Sequence, residues 1–166
     1  METGRRQTAV DDLYRDHGRA AFRLAYLLTG SHAQAEDLVQ DAFVRLLARV
    51  RHVRETGTLR SYLTRSIVNL AKNEYRRQGR LRAFVSSGRG AAPSTTGLPD
   101  VEVRDELHAQ LLKLPPRQRA AVVLRYCEDL GEADVADALG TSAKAVRSLV
   151  GRGLETLRSM NGENDG

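Results

Sequence analysis

The sequence predicts an all-α protein: two small helical domains joined by a flexible linker, the second ending in a helix-turn-helix. Three observations predict this. Apolar residues recur at spacings of three and four through most of the chain. Residues 130–158 read as two helices joined by a tight turn at Gly140. Residues 79–99 break the pattern, with four of the fourteen glycines, two of the four prolines and no acid. Their composition reads as a basic linker, since Arg80, Arg82 and Arg89 make it +3. The expected division is therefore 1–78, 79–99 and 100–166.

Residues 1–9 are polar and expected to be loose. The first helix is expected over 10–29, where Leu13, Tyr14, His17, Ala21, Leu24, Ala25 and Leu28 share a face and Gly30 stops it. Ser31 followed by Gln34 has the form of a capping box. It opens a second helix reaching about Val50 or His52, with Ala35, Leu38, Val39, Ala42, Phe43, Leu46, Leu47 and Val50 as its buried stripe. Asp37, Gln40 and Asp41 share the opposite face. Acids in a helix's first turns favour the macrodipole. An acidic knob beside an apolar stripe also suits docking to a basic partner, and at this point both readings stand.

Residues 51–58 form a short basic loop before a third helix over about 59–77. Leu59, Leu63, Ile67, Leu70 and Ala71 face inward. Arg65, Asn69, Lys72 and Arg76 line an outer stripe, with Arg60 and Arg77 beside it. Three cations and an amide on one face suit phosphate contacts with some reading of base edges. Tyr62 and Tyr75 could stack on unpaired bases, although core packing is the commoner role.

The second domain opens with a helix over about 101–113, ended by Leu114-Pro115-Pro116. Pro116 suits the first position of the next helix, which runs to Cys127. The helix-turn-helix follows. Its first helix, 132–139, lies in an acidic stretch: residues 128–140 hold five acids and no Lys or Arg. Thr141 or Ser142 caps the second helix, which carries Lys144, Arg147, Arg152 and Arg158 against Glu155. A basic outer face behind a glycine turn is what a recognition helix in a major groove needs. Gly151 and Gly153 lie inside it, each costing about 1 kcal/mol relative to alanine, so its far end is expected to be weakly formed. The tail, 159–166, is expected to fray.

Charge sharpens the division. Residues 1–78 hold 14 basic and 9 acidic residues, while 100–166 hold 9 basic and 12 acidic. The overall charge of +5 and pI near 9.8 favour an anionic partner, and nucleic acid fits best. The single cysteine, Cys127, excludes an intramolecular disulfide and reads as a small core residue. The N-terminus has no apolar signal region, and no stretch approaches the roughly 18 apolar residues of a membrane span. A soluble, cytoplasmic protein with no membrane insertion is expected. An enzyme is not: there is no Walker-type loop and no HExxH, and His17, His32, His52 and His108 lack companions at metal-ligand spacing. No catalytic residue, metal or cofactor is expected.

Three stretches together resemble a bacterial sigma factor of the extracytoplasmic-function (ECF) type, in the sigma-70 superfamily. They are AEDLVQDAFVRLL (35–47), GTLRSYLTRSIVNLAKNEYRR (57–77) and LLKLPPRQRAAVVLRYCEDLGEADVADALGTSAKAVRS (111–148). The resemblance covers nearly the whole chain and implies promoter-specific transcription initiation with core RNA polymerase. It implies that Asp37, Gln40 and Asp41 dock on the clamp helices of core polymerase. It assigns reading of the melted minus-ten element to Arg60, Arg65, Asn69, Lys72 and Arg76, with the loop around 54–58 receiving an extruded base. It assigns the minus-thirty-five element to Lys144, Arg147, Ser148 and Arg152. Promoter DNA and core polymerase are the implied partners, and many members are also held by an anti-sigma factor that clamps both domains. The sequence departs from the common pattern at Lys144-Ala145 and at Leu149, so the resemblance implies no particular minus-thirty-five sequence. The alternative is a stand-alone helix-turn-helix transcriptional regulator similar to sigma factors only in its second domain.

Overall fold

The computed structural model describes residues 2–49, 56–86 and 105–164. Within them the chain is helical throughout: α1 (Glu2–Thr29), α2 (His32–Arg49), α3 (Thr56–Ser86), α4 (Asp105–Lys113), α5 (Pro116–Val122), α6 (Glu132–Leu139) and α7 (Ala143–Asn164). A wide π turn, Val123–Cys127, continues α5.

The first helical unit is α1, α2 and α3, packed pairwise. Leu24 and Ala25 of α1, Ala35, Val39 and Leu46 of α2, and Leu63 and Ile67 of α3 are buried. These are the positions that periodicity selects. Full burial of each large side chain contributes about 1.5–3 kcal/mol, which explains why three amphipathic helices hold together here. Ser31 caps α2 through its Oγ, which accepts the Gln34 amide at 3.3 Å. The box closes differently from the expected one, because the Ser31 amide is given to Thr29 Oγ1 at 3.4 Å.

In the second unit α7 packs along α5 and α6. Gly140 takes φ 65° and ψ 41°, the left-handed cap expected after α6. The Thr141 amide donates to the Ala136 carbonyl at 2.9 Å and the Gly140 amide to Asp137 at 3.3 Å, a Schellman closure. Ser142, not Thr141, caps α7: its Oγ accepts the Ala145 amide at 3.1 Å.

Three boundaries differ from expectation. Residues 2–9, expected to be loose, continue α1, since no proline interrupts them. The third helix runs on to Ser86, so 79–86, read as the start of the linker, are helical; Gly79 is the only weak helix former at that junction. Residues 87–104, the remainder of the expected linker and the first turn of the next helix, lie outside the described residues. The last helix passes through both glycines and most of the polar tail to Asn164. The tail is held because Gln110 Nε2 on α4 donates to Asn161 Oδ1 at 2.7 Å.

The two units touch. The Arg119 guanidinium is buried, and its Nη1 donates to the Leu28 carbonyl at the end of α1, 2.7 Å away. His108 Nε2 donates to the Tyr26 carbonyl at 3.1 Å, with the two rings 4.6 Å apart. Gly30, at φ 71°, brings the α1 turn so close to α4 that a Cβ there would lie 2.6 Å from a Leu112 methyl.

Candidate nucleic-acid and polymerase interface

Three exposed patches carry the residues singled out by the sequence. On α2, Asp37, Gln40 and Asp41 are exposed and lie opposite the buried stripe. No ion pair to these carboxylates forms among the described residues. One and two turns further along, Val44 is 65% exposed and Leu47 36% exposed, so an apolar strip prolongs the acidic one. Leu47 was expected inside. The sequence carries a signal for this apolar continuation: Val44 falls four residues from Gln40 and three from Asp41.

On α3, Arg60, Arg65, Asn69, Lys72 and Arg76 are all exposed, as the stripe predicts. Their surroundings are less open than the sequence suggests. Arg65 pairs with Asp137 of α6. Arg60 lies 3.9 Å from Glu128, just after the π turn. Asn69, Lys72 and Arg76 line a cavity of about 300 Å³ whose other wall includes Pro116, Arg117 and Leu139. Arg77 is held within its own helix by Glu74, at 2.7 Å and 3.1 Å, which keeps that carboxyl below its ordinary range. Tyr75 is 44% exposed and also lines the cavity, while Tyr62 is half-buried under the Arg49 guanidinium. Of the base-receiving loop around 54–58, residues 54 and 55 lie outside the described residues and 56–58 begin α3.

On α7, Lys144, Arg147, Ser148 and Arg152 are exposed and follow one another at three, four and eight residues from the first. Arg147 reaches back to Glu132 of α6 at 3.5 Å. Exposed pairs of this kind are worth roughly 0–1 kcal/mol, so a phosphate can displace the carboxylate. Charges on such faces bind the phosphate backbone, while amides and guanidinium forks read base edges.

Burial pushes the Glu128 carboxyl up, against the pull of Arg23 and Arg60. Burial also pushes the Cys127 thiol up, which makes it less reactive. No cluster of three or more metal-ligating side chains occurs among the described residues.

Comparisons with known proteins match both helical units. The sigma-70 region 2 family model matches residues 13–81, and the sigma-70 region 4 model matches residues 104–157. The RNA polymerase sigma-E factor of Streptomyces avermitilis is 33% identical over 157 residues, covering 89% of this chain and 82% of that protein. This chain belongs to the ECF group of the sigma-70 family.

Another relative of this sigma factor is the ECF sigma factor SigE of Mycolicibacterium smegmatis, 36% identical over 154 residues. That alignment covers 89% of this chain but 60% of the mycobacterial protein. Among solved structures, RpoE of Bartonella quintana, crystallised with the anti-sigma factor NepR, has the same fold. It superposes with a TM-score of 0.70 at 23% identity, over 91% of this chain and 97% of that one. Both cationic stripes fall inside a region match, the α3 stripe in region 2 and the α7 stripe in region 4. Among the described residues no helix is long and apolar enough to cross a membrane.

Proposed function

We propose that this sigma factor is a dissociable promoter-specificity subunit with no catalysis of its own, acting in the cytoplasm with core RNA polymerase. In this reading residues 1–78 form the unit that binds core enzyme and the minus-ten element. Residues 100–166 form the unit that binds the minus-thirty-five element, and the segment between spans the polymerase. Asp37, Gln40 and Asp41 meet core polymerase. Arg60, Arg65, Asn69, Lys72 and Arg76 hold the melted strand, and Lys144, Arg147, Ser148 and Arg152 enter the major groove. Extruding a base costs a few kcal/mol of lost stacking, which core contacts help to offset. An anti-sigma factor is the further partner.

The observation that carries the reading is the pairing of two sigma-70 regions in one chain, each presenting a cationic stripe. A stand-alone regulator has no use for the first region, so that alternative is not favoured. Run-off transcription with core polymerase tests it. Promoter-dependent product is expected only when the chain is present. Asp37→Lys with Asp41→Lys should weaken core binding at least about tenfold, a loss of about 1.4 kcal/mol. Unchanged core affinity, or no promoter-dependent product, counts against the reading.

A further inference from the structure

We propose that the cavity between the two helical units is a ligand site for a small aromatic acid, a flat apolar body carrying one carboxylate.

The cavity, about 300 Å³, lies at the small end of the roughly 300–1,000 Å³ that ligand pockets span. It has the volume of about ten liquid waters, which suits a compact ligand rather than a chain. Its deep wall is apolar: Leu28 of α1, Val68 of α3 and Ala120 of α5 are buried and line it. Tyr75 lines it as well and is 44% exposed, and a half-open tyrosine ring favours a flat aromatic partner over an acyl one.

The charge of the lining is positive and lacks a partner. Lys72, Arg76 and Arg117 line the cavity, and no ion pair to them forms among the described residues. Glu74 also lines it, but both of its oxygens already accept from Arg77 of the same helix. Arg119 is buried in the same lining. Its guanidinium donates to four backbone carbonyls and, among the described residues, to no carboxylate. Buried charges are ordinarily paired, because removing an ion from water is costly. Burial accordingly pulls this guanidinium below its ordinary pKa. A carboxylate in the cavity supplies the counter-ion.

Asn69, Lys72 and Arg76 line the cavity and are assigned above to the melted strand. The ligand therefore competes with promoter DNA for these side chains and inhibits initiation. That consequence rests on the reading of α3; the site itself does not.

The test uses titration calorimetry on the full chain without polymerase, with naphthoate as the probe. Expected is one naphthoate per chain, with naphthylmethanol, octanoate and inorganic phosphate each weaker by at least about fivefold. Arg117→Met should weaken naphthoate about fivefold and leave the neutral alcohol unchanged, since it removes only a charge partner. Ala120→Leu should abolish binding of both by filling the cavity. Circular dichroism checks that this variant folds, and Ala71→Leu fills the cavity from the α3 side if it does not. Arg158→Met removes a cation of α7 outside the cavity and should change neither affinity. Absence of naphthoate binding, equal binding of octanoate, or binding that survives a folded filling variant overturns the proposal. Run-off transcription then separates the site from its consequence. Less product with naphthoate, restored by Arg117→Met, supports inhibition, and undiminished product rejects it. Absence of product without naphthoate rejects the reading of α3, and the calorimetry still decides the site.

Discussion

At the scale of single residues, the two glycines of α7 look alike in sequence and differ in role. A Cβ on Gly151 would meet nothing within 4 Å, whereas one on Gly153 would lie 2.7 Å from Val122 Cγ2 on the facing helix. Gly151→Ala should therefore stabilise by about 1 kcal/mol through helix propensity. Gly153→Ala should destabilise by about 1–3 kcal/mol, because Val122 must move. Urea unfolding of the two variants checks both signs. Helix propensity alone assigns both glycines the same cost; only the approach of α5 tells them apart. Glu128 gives a pH signature. Burial raises its pKa in the fold above its unfolded value. A carboxyl raised in this way contributes stability below its unfolded pKa, and that contribution is lost as pH rises through the raised value. Glu128→Gln should match wild type in urea midpoint near about pH 4 and exceed it near about pH 8. The opposite ordering would mean that Arg23 and Arg60 outweigh desolvation.

Among the helices, the helix-turn-helix was the most legible element. The bounds of α6 are those its periodicity and Gly140 predict, because both ends carry strong local signals. The cap of α7 was narrowed in sequence to two adjacent residues, and geometry selects Ser142. Ser142→Ala should cost about 1 kcal/mol, read as a lowered melting temperature, while Thr141→Ala should cost less. Helix ends without such signals are not legible from local sequence. Local signals end the third helix near Gly79 and leave the end of α7 as a polar tail, whereas α3 runs to Ser86 and α7 to Asn164. The contact that holds that end, Gln110 with Asn161, spans 51 positions of chain and has no local trace. The polar face of α2 was legible as a surface, but its apolar continuation at Val44 and Leu47 was not. An apolar residue beside a buried stripe is ordinarily assigned to that stripe, and only the position of the neighbouring helices leaves it outside.

Over the whole molecule, Arg119 is the residue whose role is least visible in sequence. Its guanidinium donates to the carbonyls of Leu111 at 3.0 Å, Leu112 at 2.9 Å and Leu114 at 3.1 Å, and to Leu28 at 2.7 Å in the other unit. It is thus both the cap of α4 and a tie between units. Arg119→Met should cost at least about 3 kcal/mol in urea unfolding, because several carbonyls lose their charged donor. A loss under about 1 kcal/mol would show that water replaces it readily. Sequence by itself determined the all-helical class, the polar faces of α2, α3 and α7 and the turn at Gly140. Each follows from spacing and local backbone preference, which act within a few residues of chain. Only the tertiary structure decided which glycine is a packing glycine, where the longer helices end and what lies over the α3 stripe. Those depend on surfaces far apart in sequence meeting, and opposite charge on two helices does not reveal that the helices will face one another.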